Sequence, residues 1–148
     1  MPIHPNMLIA ARKLLKSPHR FATDDELALL YTLSPAELDQ FQFGVIELSD
    51  SGYVRTYNEY ESNLAQRKKE DVLGKDFFAE IAPCTNTPVF SGIFFHGVQH
   101  DDLHAFVSYV FDFKMSPTHV WIHMYRCPIS HRNWILVKKR DSNPPLKK

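Results

Sequence analysis

Residues 43–57, FGVIELSDSGYVRTY, mark the point at which the sequence changes from a helical pattern to a strand pattern. Residues 44–48 favour one strand and residues 53–57 favour a second, because both runs are short and rich in residues common in strands. The Asp-Ser-Gly sequence at 50–52 is typical of a turn. This stretch therefore predicts a β-hairpin.

The residues before the hairpin favour helix. Apolar side chains along residues 6–16, with basic residues between them, predict a short amphipathic helix, and a second helix is expected near Asp24. Ser34 is a good N-cap and Pro35 suits the first helical position. Glu37 can complete a capping box with Ser34, so a third short helix should begin there.

The residues after the hairpin predict a helical middle followed by three longer strands. Helices are expected over residues 58–64, 71–80 and 90–98. Strands are expected over residues 103–114, 119–127 and 134–139, with Ser116-Pro117 and Ser130-His131 in the turns between them. This order is typical of a PAS domain, an α+β fold in which a five-stranded antiparallel sheet has helices on one face.

A single domain is the expected organisation, because 148 residues at 44% hydrophobic content can bury one core. We predict an N-terminal helical cap over residues 1–40, a PAS core over residues 41–140, and a flexible tail over residues 141–148. The tail is assigned from its prolines and lysines.

Charge and cysteine content exclude several classes of partner. Basic and acidic residues both number 17, so no net charge attracts nucleic acid or an anionic membrane. The first apolar run contains Arg12 and Lys13, which argues against a signal peptide or a membrane span. Cys84 and Cys127 are too few for a disulfide framework and should be reduced thiols. We therefore expect a cytoplasmic protein that is a monomer or a weak dimer.

Residues 81–88, IAPCTNTP, place a lone cysteine between two prolines, next to an aromatic-rich segment. Together with Tyr57, Glu61 and residues 109–118, YVFDFKMSPT, this motif resembles the photoactive yellow protein family. Members of that family are PAS-domain blue-light receptors in which one cysteine carries a p-coumaroyl thioester. The resemblance covers residues 41–140 without insertion or deletion.

The resemblance implies a role for each matching residue. Cys84 matches the cysteine that bears p-coumaric acid as a thioester. Tyr57 and Glu61 match the two donors to the phenolate oxygen of this chromophore, and Arg67 matches a cation that lies over the pocket. The remaining positions implied to line the pocket are Ile46, Phe77, Ile81, Ala82, Pro83, Thr85, Phe111, Phe113 and Met115.

The residue types also suit this chemistry on physical grounds. A p-coumaroyl phenol should titrate near the ~10 of tyrosine, and visible absorption requires its phenolate. Burial of a phenolate is costly unless hydrogen bonds satisfy it, and Tyr57 and a protonated Glu61 can supply them. Glu61 must be neutral, because two charges in one apolar site repel each other. The backbone N–H of Cys84 is a natural donor to the thioester carbonyl.

These residues imply a light sensor rather than an enzyme, with no catalytic residue and no metal. Light would isomerise the chromophore from trans to cis, and Glu61 would then lose its proton to the phenolate. The carboxylate left in an apolar pocket would loosen the structure and so produce a signal. The protein that receives this signal is a downstream signalling partner that the sequence does not identify.

Other functions and other interpretations of single residues remain open. The chain could be a non-photoactive PAS module that binds an apolar ligand or a protein partner. It could instead be an enzyme in which Cys84 is the nucleophile and His123 the base. Taken alone, Cys84 would be a small buried hydrophobe. Glu61 and Arg67 would be ordinary surface charges.

Six residues depart from the family pattern or stand apart from it. Ala65 replaces a threonine that hydrogen-bonds the pocket tyrosine in well-known members, and Phe113 replaces a tyrosine, so the hydrogen-bond network should be thinner. Cys127 is interpreted as an incidental thiol. His96, His100 and His104 are spaced by four, and two histidines at this spacing could chelate a metal with a third ligand. The helix is expected to end near residues 99–102, so the three need not converge.

Overall fold

The computed structural model of the chain describes residues 21–113 and 116–140. Its α-helices are α1 (Asp24–Leu29), α2 (Pro35–Leu38), α3 (Glu59–Ala65), α4 (Lys69–Val72) and α5 (Ile93–Gln99). The other helical turns are 3₁₀ turns at Leu30–Thr32 and Pro83–Thr85 and π-helical turns at Phe77–Ile81 and Pro88–Gly92. Short helical pieces of this kind gain their stability from packing rather than from length.

Five strands form one antiparallel sheet. They are β1 (Gly44–Leu48), β2 (Val54–Tyr57), β3 (His104–Phe113), β4 (Ser116–Arg126) and β5 (Asn133–Lys139), in the order β2-β1-β5-β4-β3. The two strands of the predicted hairpin lie at one edge, and the long β3–β4 hairpin forms the other. The predicted α+β architecture is confirmed.

The two faces of the sheet carry separate apolar clusters, because successive side chains of a strand point to opposite faces. On β4, Ile122 and Met124 belong to the larger cluster, which also contains residues of the helical middle. On β5, Trp134 and Leu136 belong to the smaller cluster, which contains residues of the N-terminal segment. We call the second set the cap cluster; it consists of Ala22, Leu27, Leu30, Leu38, Phe43, Val45, Trp134 and Leu136.

Local capping determines where the described N-terminal helices begin. Thr23 and Glu26 form a capping box at the start of α1, and Ser34 and Glu37 form the one predicted for α2. Each box satisfies two backbone N–H groups that a helix start leaves without partners. The helix expected over residues 6–16 and the tail over residues 141–148 lie outside the described residues.

The single helix predicted for residues 71–80 is wrong. The chain leaves α4 at Leu73, and Gly74 has φ of +81°, a conformation that favours glycine. Val54 then accepts a hydrogen bond from Gly74 and donates one to Lys75, so this segment pairs beside β2 instead of continuing as helix. Helical structure resumes only at the π-helical turn Phe77–Ile81.

The turn predicted at Ser116-Pro117 is also wrong. Ser116 pairs with Phe113 and Pro117 pairs with Asp112, so β4 begins at Ser116 and both residues belong to the sheet. Proline is tolerated there because it lies next to the start of the strand, where fewer ladder bonds are required. None of the helices within residues 21–113 and 116–140 is long and apolar enough to cross a lipid bilayer.

Candidate functional site

Tyr57 and Glu61 lie close together in the sequence, at the point where a strand runs directly into a helix. Tyr57 ends β2, Asn58 caps α3, and Glu61 occupies the first turn of that helix. Both side chains are enclosed: Tyr57 is 4% exposed and Glu61 is 1% exposed. A tyrosine hydroxyl and a carboxyl group are thereby carried into the interior from adjacent elements.

The carboxyl group of Glu61 is enclosed in the apolar core. Its Oε1 is buried without a hydrogen-bond partner among the described residues. Burial raises the pKa of Glu61 from 4.5 to about 8, so the group is neutral at pH 7. Gly44 of β1 permits this arrangement, because a Cβ at that position would collide with Oε1 of Glu61.

Tyr57 also retains its proton across the physiological range. Burial raises the pKa of Tyr57 well above its ordinary value, and the negative charge of an ionised Glu61 would raise it further. The positive charge of Arg67 acts in the opposite direction. Tyr57 and Glu61 are consequently two protonated groups able to donate hydrogen bonds.

Arg67 follows the C-terminal end of α3 and is exposed. Gln66 has φ of +55° at the end of this helix, and the backbone N–H of Arg67 donates to the carbonyl of Ser62 at 3.0 Å. Its guanidinium charge lies near enough to lower the pKa of Tyr57. Arg67 therefore lies on the solvent side of the Tyr57 site.

Cys84 is exposed and lies in the 3₁₀ turn Pro83–Thr85. The buried-hydrophobe interpretation of this cysteine is therefore wrong, and its thiol is accessible to a reagent. Cys127, in contrast, is 1% exposed. Both are free cysteines, so no disulfide blocks Cys84.

Most of the predicted wall residues lie in the larger apolar cluster that also contains Tyr57. Those buried there are Ile46, Phe77, Ile81, Ala82 and Phe111. Thr85 is fully buried, and its hydroxyl donates to the carbonyl of Ala82 at 2.6 Å, whereas Pro83 is exposed. Phe113 ends β3, and Met115 lies outside the described residues. The residues flanking Cys84 and the Tyr57 site thus share one core.

Two residues near the site were not singled out from the sequence. Asn58 is 1% exposed, and its Oδ1 accepts from the N–H groups of Val45 at 2.9 Å and Glu61 at 3.2 Å. Its position three residues before Glu61 is the spacing of an N-cap, which could have identified it. Tyr109 of β3 donates from its hydroxyl to the carbonyl of Cys84 at 2.6 Å. No local pattern indicates that contact.

The histidines do not form the sites considered from the sequence. His96 of α5 and His100 at its C-cap have ring centroids 4.2 Å apart, whereas the ring of His104 stacks on His123 at 4.9 Å. No group of three potential metal ligands occurs among the described residues. His123 is fully buried between Ile122 and Met124, and thus on the opposite sheet face from the core beside Cys84. It is not placed to act as a base for that thiol.

Known proteins with a similar structure place the chain in the class of PAS domains. The PAS domain of the Cronobacter turicensis RpfR quorum-sensing receptor aligns with a TM-score of 0.57 over 69% of this chain and 97% of that one. Its sequence identity is only 9%, so the likeness concerns the fold alone. The PAS assignment of the sequence is confirmed.

More similar proteins identify the family within that class. Photoactive yellow protein from Rhodothalassium salexigens is 42% identical over 81% of this chain and 96% of its own length. The photoactive yellow protein domain of the sensor histidine kinase Ppr from Rhodospirillum centenum is 42% identical, with a TM-score of 0.72 over 75% of this chain and 97% of that domain. A scan against protein-family models finds no match. The chain belongs to the photoactive yellow protein family.

The family implies a chromophore, and the residues present fit one. The buried Oε1 of Glu61 lacks a partner among the described residues, as expected of a donor intended for a bound group. Tyr57 supplies a second buried donor, and Cys84 supplies an accessible thiol. The site therefore combines an accessible thiol with two proton-bearing groups in an apolar core.

Proposed function

We propose that this chain is a blue-light photoreceptor that carries p-coumaric acid as a thioester on Cys84. The observation that supports this most strongly is the buried, neutral carboxyl group of Glu61, whose Oε1 has no hydrogen-bond partner among the described residues. An unsatisfied buried polar atom costs about 1–3 kcal/mol and is usually retained for a purpose. Hydrogen bonding to a bound phenolate would use that atom.

Attachment is a thiol acylation. The Cys84 sulfur, after loss of its proton, attacks the carbonyl carbon of an activated p-coumaroyl ester, and the leaving group departs with the electron pair of the broken acyl bond. Cys84 suits this step because it is exposed, whereas Cys127 is enclosed. Acylation should therefore be selective for Cys84.

Tyr57 and Glu61 would hold the phenolate in the dark. Both are protonated, so each can donate a hydrogen bond to a negative oxygen and lower its proton affinity. The positive charge of Arg67 near Tyr57 would also favour an anion there. The pair would thereby keep the phenol in its charged, visible-absorbing form at neutral pH.

When bound, the p-coumaroyl group would supply absorption of blue light and trans-to-cis isomerisation. Glu61 would then release its proton to the phenolate, and its carboxylate would remain in a site where it is 1% exposed. An uncompensated buried charge costs several kcal/mol, comparable with the stability of a small domain. Glu61 would thus convert light into partial unfolding.

The described contacts offer one route from this charge to the N-terminal segment. Asn58 bonds the N–H of Glu61 through Oδ1, and through Nδ2 it bonds the carbonyls of Leu38 at 2.9 Å and Phe43 at 3.0 Å. Displacement of Glu61 would move Asn58 and so weaken its hydrogen bonds to Leu38 and Phe43. We propose that release of the N-terminal segment presents the signal to a cytoplasmic partner protein.

The test is reconstitution of the apoprotein with an activated ester of p-coumaric acid, followed by a blue flash. We expect a visible band that bleaches after the flash and recovers in the dark. Activated cinnamate, which lacks the phenol, is the matched ligand and should attach without a visible band. A coumaroylated protein with no visible band would contradict the proposal and favour a non-photoactive PAS module.

A further inference from the structure

The hydroxyl of Tyr109 contacts two residues: Cys84, in the middle of the 3₁₀ turn Pro83–Thr85, and Thr87, which follows that turn. It lies 2.6 Å from the carbonyl oxygen of Cys84 and 3.0 Å from Oγ1 of Thr87. A phenol has one proton, and the carbonyl can only accept, so Tyr109 donates to Cys84 and Thr87 donates to Tyr109. One side chain of the sheet therefore holds the loop at Cys84 and at Thr87.

We call residues 82–87 the Cys84 loop. Several of its other hydrogen bonds stay near the loop itself: Thr85 Oγ1 donates to Ala82, and Ser91 Oγ donates to Asn86 at 2.9 Å. Tyr109 differs because it belongs to β3, the long edge strand. Its hydroxyl ties the loop to the longest strand pairing of the sheet, that of β3 with β4.

The position of this hydroxyl is set by aromatic packing. The ring of Tyr109 meets Phe90 edge-on, with centroids 5.2 Å apart and planes at 83°, and it lies 5.8 Å from Phe111 at 73°. Edge-to-face contacts of this kind are favourable and directional. Phe90 and Phe111 also contact each other, with centroids 6.0 Å apart, so the three rings form one packed group that holds the Tyr109 hydroxyl in place.

We infer that Tyr109 is the positioning residue for chromophore attachment: it fixes the backbone of Cys84 relative to the sheet. This inference rests on the proposed function of Cys84. An exposed side chain on a loop is not held by surrounding atoms, so its direction depends on the backbone beneath it. The bond from Tyr109 restrains the peptide unit after Cys84 and thereby the directions of the Cys84 thiol and N–H.

Tyr109→Phe isolates the hydroxyl, because phenylalanine retains the packing on Phe90 and Phe111. In the apoprotein, the amides of Thr85, Asn86 and Thr87 should exchange about three- to tenfold faster, the range expected for one lost hydrogen bond. Alkylation of Cys84 should change rate as well, and Cys127, at 1% exposure, should not contribute. Tyr53→Phe, which removes an exposed phenol from the β1–β2 turn, is the matched control.

In the coumaroylated protein, Tyr109→Phe should shift the visible band to shorter wavelength and broaden it, because a looser Cys84 N–H stabilises the excited carbonyl less well. Tyr53→Phe should leave the band unchanged. If the wild type gains a visible band and Tyr109→Phe matches it in band, exchange and alkylation, the inference is overturned. If the wild type gains no band, the proposed function fails, and unchanged exchange at residues 85–87 would still overturn the anchoring role separately.

Discussion

The side chain of Asn58 connects Glu61 to Leu38, which lies at the end of α2 in the N-terminal segment. Its Oδ1 accepts from the Glu61 N–H at 3.2 Å, and its Nδ2 donates to the Leu38 carbonyl at 2.9 Å. All three residues are buried. A charge that appears on Glu61 is therefore one side chain away from the cap cluster on the far side of β1.

Continuous blue light should release α1 and α2 while the sheet stays intact. Both helices are short and depend on docking, so they should open before the strands do. The amides of Leu27 and Leu38, bonded to Thr23 at 3.0 Å and Ser34 at 2.9 Å, should lose protection from hydrogen exchange. Amides of β4 should keep theirs.

Glu61→Gln is the control for this release, because glutamine fills the same space without a transferable proton. Its N-terminal amides should remain protected in the light. Equal protection of α1 and α2 in dark and lit wild type would contradict the mechanism.

The hydrogen bonds at the phenolate should set the colour of the coumaroylated protein. Donors hold negative charge on the oxygen, so a weaker donor lowers the excitation energy. Glu61→Gln should therefore shift the visible band to the red. Ala65→Thr, which adds a hydroxyl at a position only 3% exposed, should shift it to the blue.

Ala65→Val is the matched control, because it has the shape of threonine without the hydroxyl. A blue shift in both Ala65 variants would reflect crowding rather than hydrogen bonding. Glu59→Gln, on the exposed side of the same helix, should leave the band in place. An unchanged band in Glu61→Gln would show that Glu61 does not contact the phenolate.

The apoprotein should lose stability as pH rises through the range in which Glu61 stays neutral. Its pKa is about 8 when folded and 4.5 ordinarily, so between these values only the unfolded chain releases the proton. The free energy of unfolding should then fall by up to about 1.4 kcal/mol per pH unit from this group. Glu61→Gln should lack this contribution to the pH dependence of stability, because glutamine does not titrate.

Urea unfolding of both apoproteins at pH 5, 6, 7 and 8 measures this difference. The stability of Glu61→Gln relative to the wild type should increase steadily with pH. Parallel profiles for the two proteins would mean that Glu61 titrates normally in the folded state.

Glu47 of β1 forms an ion pair with the partly exposed Arg132, which precedes β5 and also contacts the N-terminal segment. Two bonds of 2.7 Å connect them, and Arg132 also donates to the Tyr31 carbonyl at 3.2 Å. Glu47 is 2% exposed, so Arg132→Met would strand a buried carboxylate. We expect a loss of about 2 kcal/mol, below the range for fully buried pairs because Arg132 is partly exposed.

A double-mutant cycle with Glu47→Gln tests this pair. The double variant should lose less stability than the sum of the two single variants, because no charge is then stranded. Strict additivity would show that the pair contributes nothing beyond its separate side chains.

Local sequence patterns predicted the parts of the fold that local interactions determine. Ser34 and Glu37 form the predicted capping box, and the strand over residues 44–48 has the predicted bounds. The segment around Gly74 was missed because its conformation follows from pairing with Val54, twenty residues earlier. Pro117 was placed in a turn because proline favours turns, although tertiary pairing with Asp112 places it in a strand.

The candidate site was also predicted only in part from the sequence. The resemblance identified Cys84, Tyr57 and Glu61 as site residues. The burial that keeps Glu61 of α3 neutral depends on the close approach of Gly44 of β1. The contact from Tyr109 to Cys84 spans 25 positions and leaves no periodic signal. Features that arise when distant segments meet require the folded structure.

The most direct test of the proposed function is to identify the residue that carries the chromophore. Wild type, Cys84→Ala and Cys127→Ala apoproteins are each treated with activated p-coumarate, and their visible absorption and peptide masses are measured. We predict that wild type and Cys127→Ala become yellow and carry one coumaroyl group on the peptide containing Cys84, whereas Cys84→Ala stays colourless. A visible band in Cys84→Ala, or a coumaroyl group mapped to Cys127 in the wild type, would contradict the account.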